Sequence, residues 1–111
     1  MLLGSPGYAA PEQYGKAQTT PQSDIYSLGA TLHQMLSGRD PTQNPFQFLP
    51  LDLGAAAPGP ALAVLVLRMV KLNQNQRPAS MLIVKQELQR IEDLLVARSG
   101  AFASAPVPAS R

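Results

Sequence analysis

A serine hydroxyl opens the Gly/Pro-rich stretch Gly4-Ser5-Pro6-Gly7-Tyr8-Ala9-Ala10-Pro11-Glu12, which closes on a carboxylate. In such a stretch a serine makes a local turn hydrogen bond. Asp24 is the one charge entering an otherwise apolar helix, in Asp24-Ile25-Tyr26-Ser27-Leu28-Gly29. An acid in a first turn is favoured by the helix dipole, by about 0.3–1 kcal/mol. Arg77 stands in Gln76-Arg77-Pro78-Ala79-Ser80, just before a further helix. On their own, Glu12 and Arg77 read equally well as an ion pair or as two unrelated surface charges. Their types allow a bidentate bond, since a guanidinium fork matches a carboxylate. His33 is the lone histidine, with no cysteine in the chain. It is expected at a packed interface rather than on a metal. Thr19, Thr20 and Ser23 are helix-cap residues before they are phosphorylation sites. The four aspartates, Asp24, Asp40, Asp52 and Asp93, stand in no metal or general-base motif.

Composition narrows the classes. The 111 residues suit one small domain or a piece of a larger one. Hydrophobic residues make up 45% and charged residues only 14%, against about 25% charged in ordinary domains. The net charge is +2 and the nine basic residues form no run, so a nucleic-acid partner is not expected. Absent cysteines exclude disulfides and the usual structural zinc sites. The longest apolar run, Ala61 to Leu67, is far short of the ~18 residues of a membrane span. No signal peptide is apparent, and a cytoplasmic location is expected.

The elements that must position these residues are helical. Residues 1–15 read as an extended loop followed by one turn from Pro11 to Tyr14, closed by Gly15 in a C′ role. Thr20 caps a helix over 21–37, Pro21 suits its first position and Gly38 ends it. Ile25, Leu28, Leu32, Met35 and Leu36 recur at near-heptad spacing, with Tyr26 and Ala30 widening the arc. No charge lies between Ile25 and Leu36, so this helix is expected to be buried all round. Prolines 41, 45, 50 and 58 make 39–59 a loop, in which Phe46 and Phe48 are expected to plug the base of the fold. A second helix is expected over 60–72. Ser80 caps a third over 81–97, with Val84, Leu88, Ile91 and Leu95 as its buried stripe. Residues 98–111 read as an Ala/Pro/Ser tail or linker without fixed structure. The fold class is therefore all-α, with 16–97 as the helical body.

Taken in order, the three segments resemble the protein kinase family, in particular the bacterial serine/threonine kinases similar to the eukaryotic ones. Gly-Ser-Pro-Gly-Tyr-Ala-Ala-Pro-Glu looks like the end of an activation segment closing on Ala-Pro-Glu. Asp-Ile-Tyr-Ser-Leu-Gly looks like the start of helix F, the central helix of the C-lobe. Arg-Pro before a capped helix looks like the entry to the last helix of that lobe. The resemblance covers about residues 2–95 and implies an incomplete helical C-lobe. It implies that Glu12 and Arg77 form a buried ion pair. It implies that Ser5, Pro6, Gly7 and Tyr8 face the protein substrate, with the Ser5 hydroxyl near the catalytic aspartate. Asp24 and Gly29 become structural residues of helix F, with Asp24 accepting hydrogen bonds from a catalytic loop not in this sequence.

Phosphoryl transfer is mostly positioning and charge neutralisation. It needs a Gly-rich loop, a strand lysine with its helix glutamate, a catalytic Asp and Asn, and a Mg²⁺-binding Asp before Phe-Gly. None of these motifs occurs in the 111 residues. The expectation is a truncated serine/threonine kinase domain with no catalytic residue, no metal and no cofactor of its own. Mg-ATP and a protein substrate belong to the intact family. The alternative is a non-catalytic module that pairs with another kinase lobe or partner protein.

Overall fold

The computed structural model describes residues 6–14 and 19–102, with side chains as far as Ala97. Ser5, Gly15 and residues 103–111 lie outside the described residues. Among the described residues, three helices and two single 3-10 turns form the body: a turn at Pro11–Gln13, α1 over Pro21–Ser37, α2 over Gly59–Met69, a turn at Gln74–Gln76 and α3 over Met81–Phe102. There is no strand among the described residues, so the fold is all-α. No helix among them is long and apolar enough to cross a membrane.

Local chemistry sets the ends of α1. Thr20 Oγ1 accepts the Ser23 N–H at 3.1 Å, and Ser23 Oγ accepts the Thr20 N–H at 2.7 Å. This is a reciprocal cap with serine in the place usually taken by Glu or Gln. At the other end Gly38 adopts φ 77°, ψ 4°, and its N–H donates to the Gln34 carbonyl at 2.8 Å. Only glycine takes that left-handed conformation without penalty.

α1 packs against both other helices. Ile25 joins Leu65 and Met69 of α2 and Val84 and Ile91 of α3 in one buried cluster. A second cluster unites Tyr26 and Ala30 with Ala10 and Val70, flanked by Tyr8, Phe46 and Phe48. Gly29 marks the closest approach of α1 to α2. A Cβ there would lie 2.6 Å from the Met69 Cβ and 2.9 Å from the Val70 Cγ1. Those are separations that packed carbon atoms do not adopt, so glycine is what lets the two helices meet. The expected burial of α1 on every side is corrected: Asp24, Thr31 and Met35 point away from the described residues, and Met35 is 75% exposed. α2, α3 and the connecting loop cover only part of its circumference.

α2 stops at Met69 rather than at 72. Val70 leaves helical geometry at φ −101°, ψ 17°. This turns the Lys71 and Leu72 carbonyls toward Arg77, whose Nε and Nη2 donate to them at 2.7 and 3.3 Å. α3 begins where Ser80 Oγ accepts the Ile83 N–H at 3.2 Å. It runs to Phe102, past the expected end at Ala97, since no proline interrupts it before Pro106. Its buried stripe is also shorter than expected. Val84 and Ile91 are buried, but Leu95 is 48% exposed because the last turns of α3 extend past the rest of the body.

The loop from 39 to 58 returns along α1. Thr42 donates both its N–H and its hydroxyl to Asp40 Oδ1, at 2.9 and 2.7 Å. These bonds hold the Asp40 carboxyl below its ordinary range. Phe48 wedges edge-on between Tyr26 and His33, with ring centroids 5.9 and 5.1 Å away.

Candidate functional site

Arg77 is the centre of the site. Pro78 follows it, and the preceding 3-10 turn, tied by Asn75 N–H to Asn73 Oδ1 at 2.9 Å, aims it inward. Its side chain is fully buried. Nη1 donates to Glu12 Oε2 at 2.6 Å and Nη2 to Glu12 Oε1 at 2.9 Å, a bidentate pair. Nη1 also donates to the Gln22 carbonyl at 2.9 Å. With the Lys71 and Leu72 carbonyls, all five guanidinium N–H groups are used. The cation also lies 5.0 Å from the Tyr26 ring centroid, within reach of the ring's negative face. One residue thus ties the Pro11–Gln13 turn to the start of α1 and the end of α2.

The Tyr26 phenol is buried beside this cation, and its hydroxyl has no hydrogen-bond partner among the described residues. Burial pushes its pKa above the usual tyrosine range, outweighing the opposite pull of Arg77. Burial dominates because the phenolate would lose its hydration.

The segment before Glu12 is held from below. Ser27 Oγ–H donates to the Tyr8 carbonyl at 2.7 Å. The Tyr8 hydroxyl donates to Gln34 Oε1. Gly7 lies at φ 93° against the Pro41–Thr42 peptide, where a Cβ would sit 2.6 Å from the Pro41 carbonyl carbon and oxygen. The Ala10 N–H donates to Gln13 Oε1 at 2.9 Å, and Tyr14 packs edge-on against Phe46. The structure therefore brings Gly7, Tyr8, Glu12 and Arg77 together around α1, with Gly29 on its buried face against α2. Pro6 and Asp24 are exposed, with Asp24 on the outward side of α1. Ser5 lies outside the described residues.

Sequence reasoning missed Ser27 and Gln34 as the supports of Tyr8. A signal was available: they are polar residues seven apart in an apolar helix, hence on one face. It also missed that Arg77 would take three carbonyls besides the carboxylate, a pattern with no local signature. His33 is buried with both ring nitrogens engaged, Nε2 with the Leu49 carbonyl at 2.8 Å and Nδ1 with Ser37 Oγ at 3.3 Å. That leaves it in a packing role beside Phe48. Among the described residues no group of three or more His, Cys, Asp or Glu could hold a metal ion.

Comparison with known proteins gives a consistent set of relatives. The chain is 37% identical over 93 residues to the serine/threonine-protein kinase pkn2 of Myxococcus xanthus, covering 72% of this chain and 11% of that protein. It is 31% identical over 104 residues to pkn3 of the same organism, covering 82% of this chain and 19% of the relative. PksC of Streptomyces coelicolor, another serine/threonine-protein kinase, is 32% identical over 103 residues, covering 82% and 18%. The chain thus spans less than a fifth of the length of each of these relatives. No family model and no solved structure matches it.

Proposed function

The chain belongs to the serine/threonine protein kinase family, and from that premise we propose that its 111 residues form the substrate-side base of a cytoplasmic kinase catalytic domain. Gly7 and Tyr8, with Pro6 and Ser5 before them, form the edge against which a protein substrate lies. Arg77 supports this reading most directly. It anchors the segment ending at Glu12 to the helices beneath, with every donor of its guanidinium spent on that task. Such anchoring presents a loop in one conformation, which is what positioning a hydroxyl for phosphoryl transfer demands. The sequence itself holds none of the motifs that handle Mg-ATP or orient the attacking hydroxyl. Those steps depend on residues outside these 111. The purified chain, given radiolabelled ATP, Mg²⁺ and a general protein substrate, is expected to transfer no phosphate above a protein-free blank. Transfer that survives repurification sinks this reading.

The exposed side of α1 favours a second reading, a module that pairs with another kinase lobe. Leu28 and Leu32 are only half-buried there and Met35 is largely exposed. Light scattering of the chain mixed with the catalytic domain of a related kinase tests it. A heavier complex that Met35→Asp abolishes supports the pairing, and an unchanged elution counts against it.

A further inference from the structure

The loop after α1 repeats a four-residue pattern, Asp40-Pro41-Thr42-Gln43 and then Asn44-Pro45-Phe46-Gln47. Asp or Asn first and proline second is a turn sequence. Both copies close as turns. The Gln43 N–H donates to the Asp40 carbonyl and the Gln47 N–H to the Asn44 carbonyl, each at 3.2 Å. The third residue of each copy meets the segment around Glu12. The Thr42 nitrogen lies 2.8 Å from where a Cβ on Gly7 would stand. The Phe46 ring packs edge-on against Tyr14, with centroids 5.3 Å apart. Two consecutive turns thus touch the segment at its two ends, Gly7 and Tyr14.

Each third position does more than complete its turn. Asp40 Oδ1 accepts both the N–H and the hydroxyl of Thr42, which fixes the Pro41–Thr42 peptide as the wall against Gly7. Phe46 has φ 69°. A turn with positive φ at its third residue ordinarily takes glycine or asparagine, and a bulky side chain there is strained. Glycine would make the same turn without that strain. What phenylalanine adds is its ring, set against Tyr14 and against the cluster of Tyr26 and Ala30.

We propose that the tandem turns are a two-point clamp that sets the conformation of residues 7–14, with Asp40, Thr42 and Phe46 as positioning residues of the substrate edge. The clamp is separate from the Arg77 anchor, which holds the segment between these two points, at Glu12. An anchor at one residue leaves the chain on either side of it free to pivot; contacts at both ends remove that freedom. The proposal rests on the reading of Gly7 and Tyr8 as the substrate edge and adds which residues set its shape.

Amide hydrogen exchange of the 111-residue chain, read residue by residue by NMR, tests the clamp. The Ala10 N–H, buried on Gln13 Oε1, reports the clamped segment. The amide of Ala30, buried in α1, reports the body. Asp40→Ala removes both ties to Thr42, and Phe46→Gly keeps the turn but removes the ring. Each should raise the exchange of Ala10 relative to that of Ala30 by about tenfold, the scale of one or two hydrogen bonds. Asp40→Asn, whose side-chain oxygen still accepts, and Phe46→Tyr, which keeps the ring, should stay within about twofold of the original. An unchanged ratio in Asp40→Ala or in Phe46→Gly overturns the clamp; it is the outcome if the loop lends only general stability, with Ala10 and Ala30 exchanging faster in step. So does a conservative variant as loose as the drastic one at its position. No ATP or substrate enters the measurement, so a failed clamp leaves the substrate-edge reading standing. Phosphate transfer by this chain alone would sink that reading without moving the exchange ratio.

Discussion

Arg77→Ala should lower the unfolding free energy of this chain by about 3–5 kcal/mol, seen as a fall in the urea midpoint. A chain of this length has about a tenth of a kcal/mol of stability per residue, or 5–15 kcal/mol in total, so the loss is a large share of it. The cause is not one ion pair. Alanine removes the donors to Glu12 and to the Gln22, Lys71 and Leu72 carbonyls together. The carboxylate side chain keeps 21% exposure, and water reaching it moderates the effect toward the lower end of the range. Arg77→Lys should recover little, because an ammonium has three donors for five acceptors and cannot make the bidentate fork. Glu12→Gln keeps the shape and removes the charge, so it should cost less, about 1–3 kcal/mol. Midpoints unchanged in both Arg77→Ala and Glu12→Gln would refute the anchoring role, and with it the physical basis for a positioned substrate edge.

Tyr26 should separate ring from hydroxyl. Tyr26→Ala empties the centre of the cluster formed with Ala10, Ala30 and Val70 and should cost about 3–5 kcal/mol. It also removes the face on which the Arg77 cation rests. Tyr26→Phe keeps the ring and deletes a buried hydroxyl that has no partner among the described residues. Such a hydroxyl is costly to bury, by about 1–3 kcal/mol, so this variant should be neutral or slightly more stable. The two should also differ in alkali. Because burial raises the folded-state pKa of Tyr26, the unfolded chain ionises first, near the ordinary value of about 10. Stability present below that pH is lost as pH rises above it, and Tyr26→Phe should show a shallower loss. Urea midpoints at neutral and alkaline pH provide the check. A phenylalanine variant as unstable as the alanine one would mean that the hydroxyl has a partner after all.

The readable parts of this molecule are those decided within one or two turns of chain. Thr20, Pro21 and Gly38 mark the ends of α1 because capping bonds and a left-handed residue act locally. Ser80 marks the start of α3 for the same reason. The all-α class follows from apolar spacing, as do the buried positions Ile25, Val84 and Ile91. Glu12 and Arg77 were singled out by resemblance rather than by spacing, since 65 residues separate them.

Amino-acid order alone determined where the helices start, which apolar residues face inward near their middles, and which motifs the chain does and does not contain. Tertiary structure decided the rest. It ended α2 early so that two carbonyls could reach Arg77, placed Ser27 and Gln34 beneath Tyr8, and left Met35 and Leu95 in the open. Periodicity tells a side chain which way to point relative to its own helix. Only the arrangement of the other elements tells it whether anything is there to meet it.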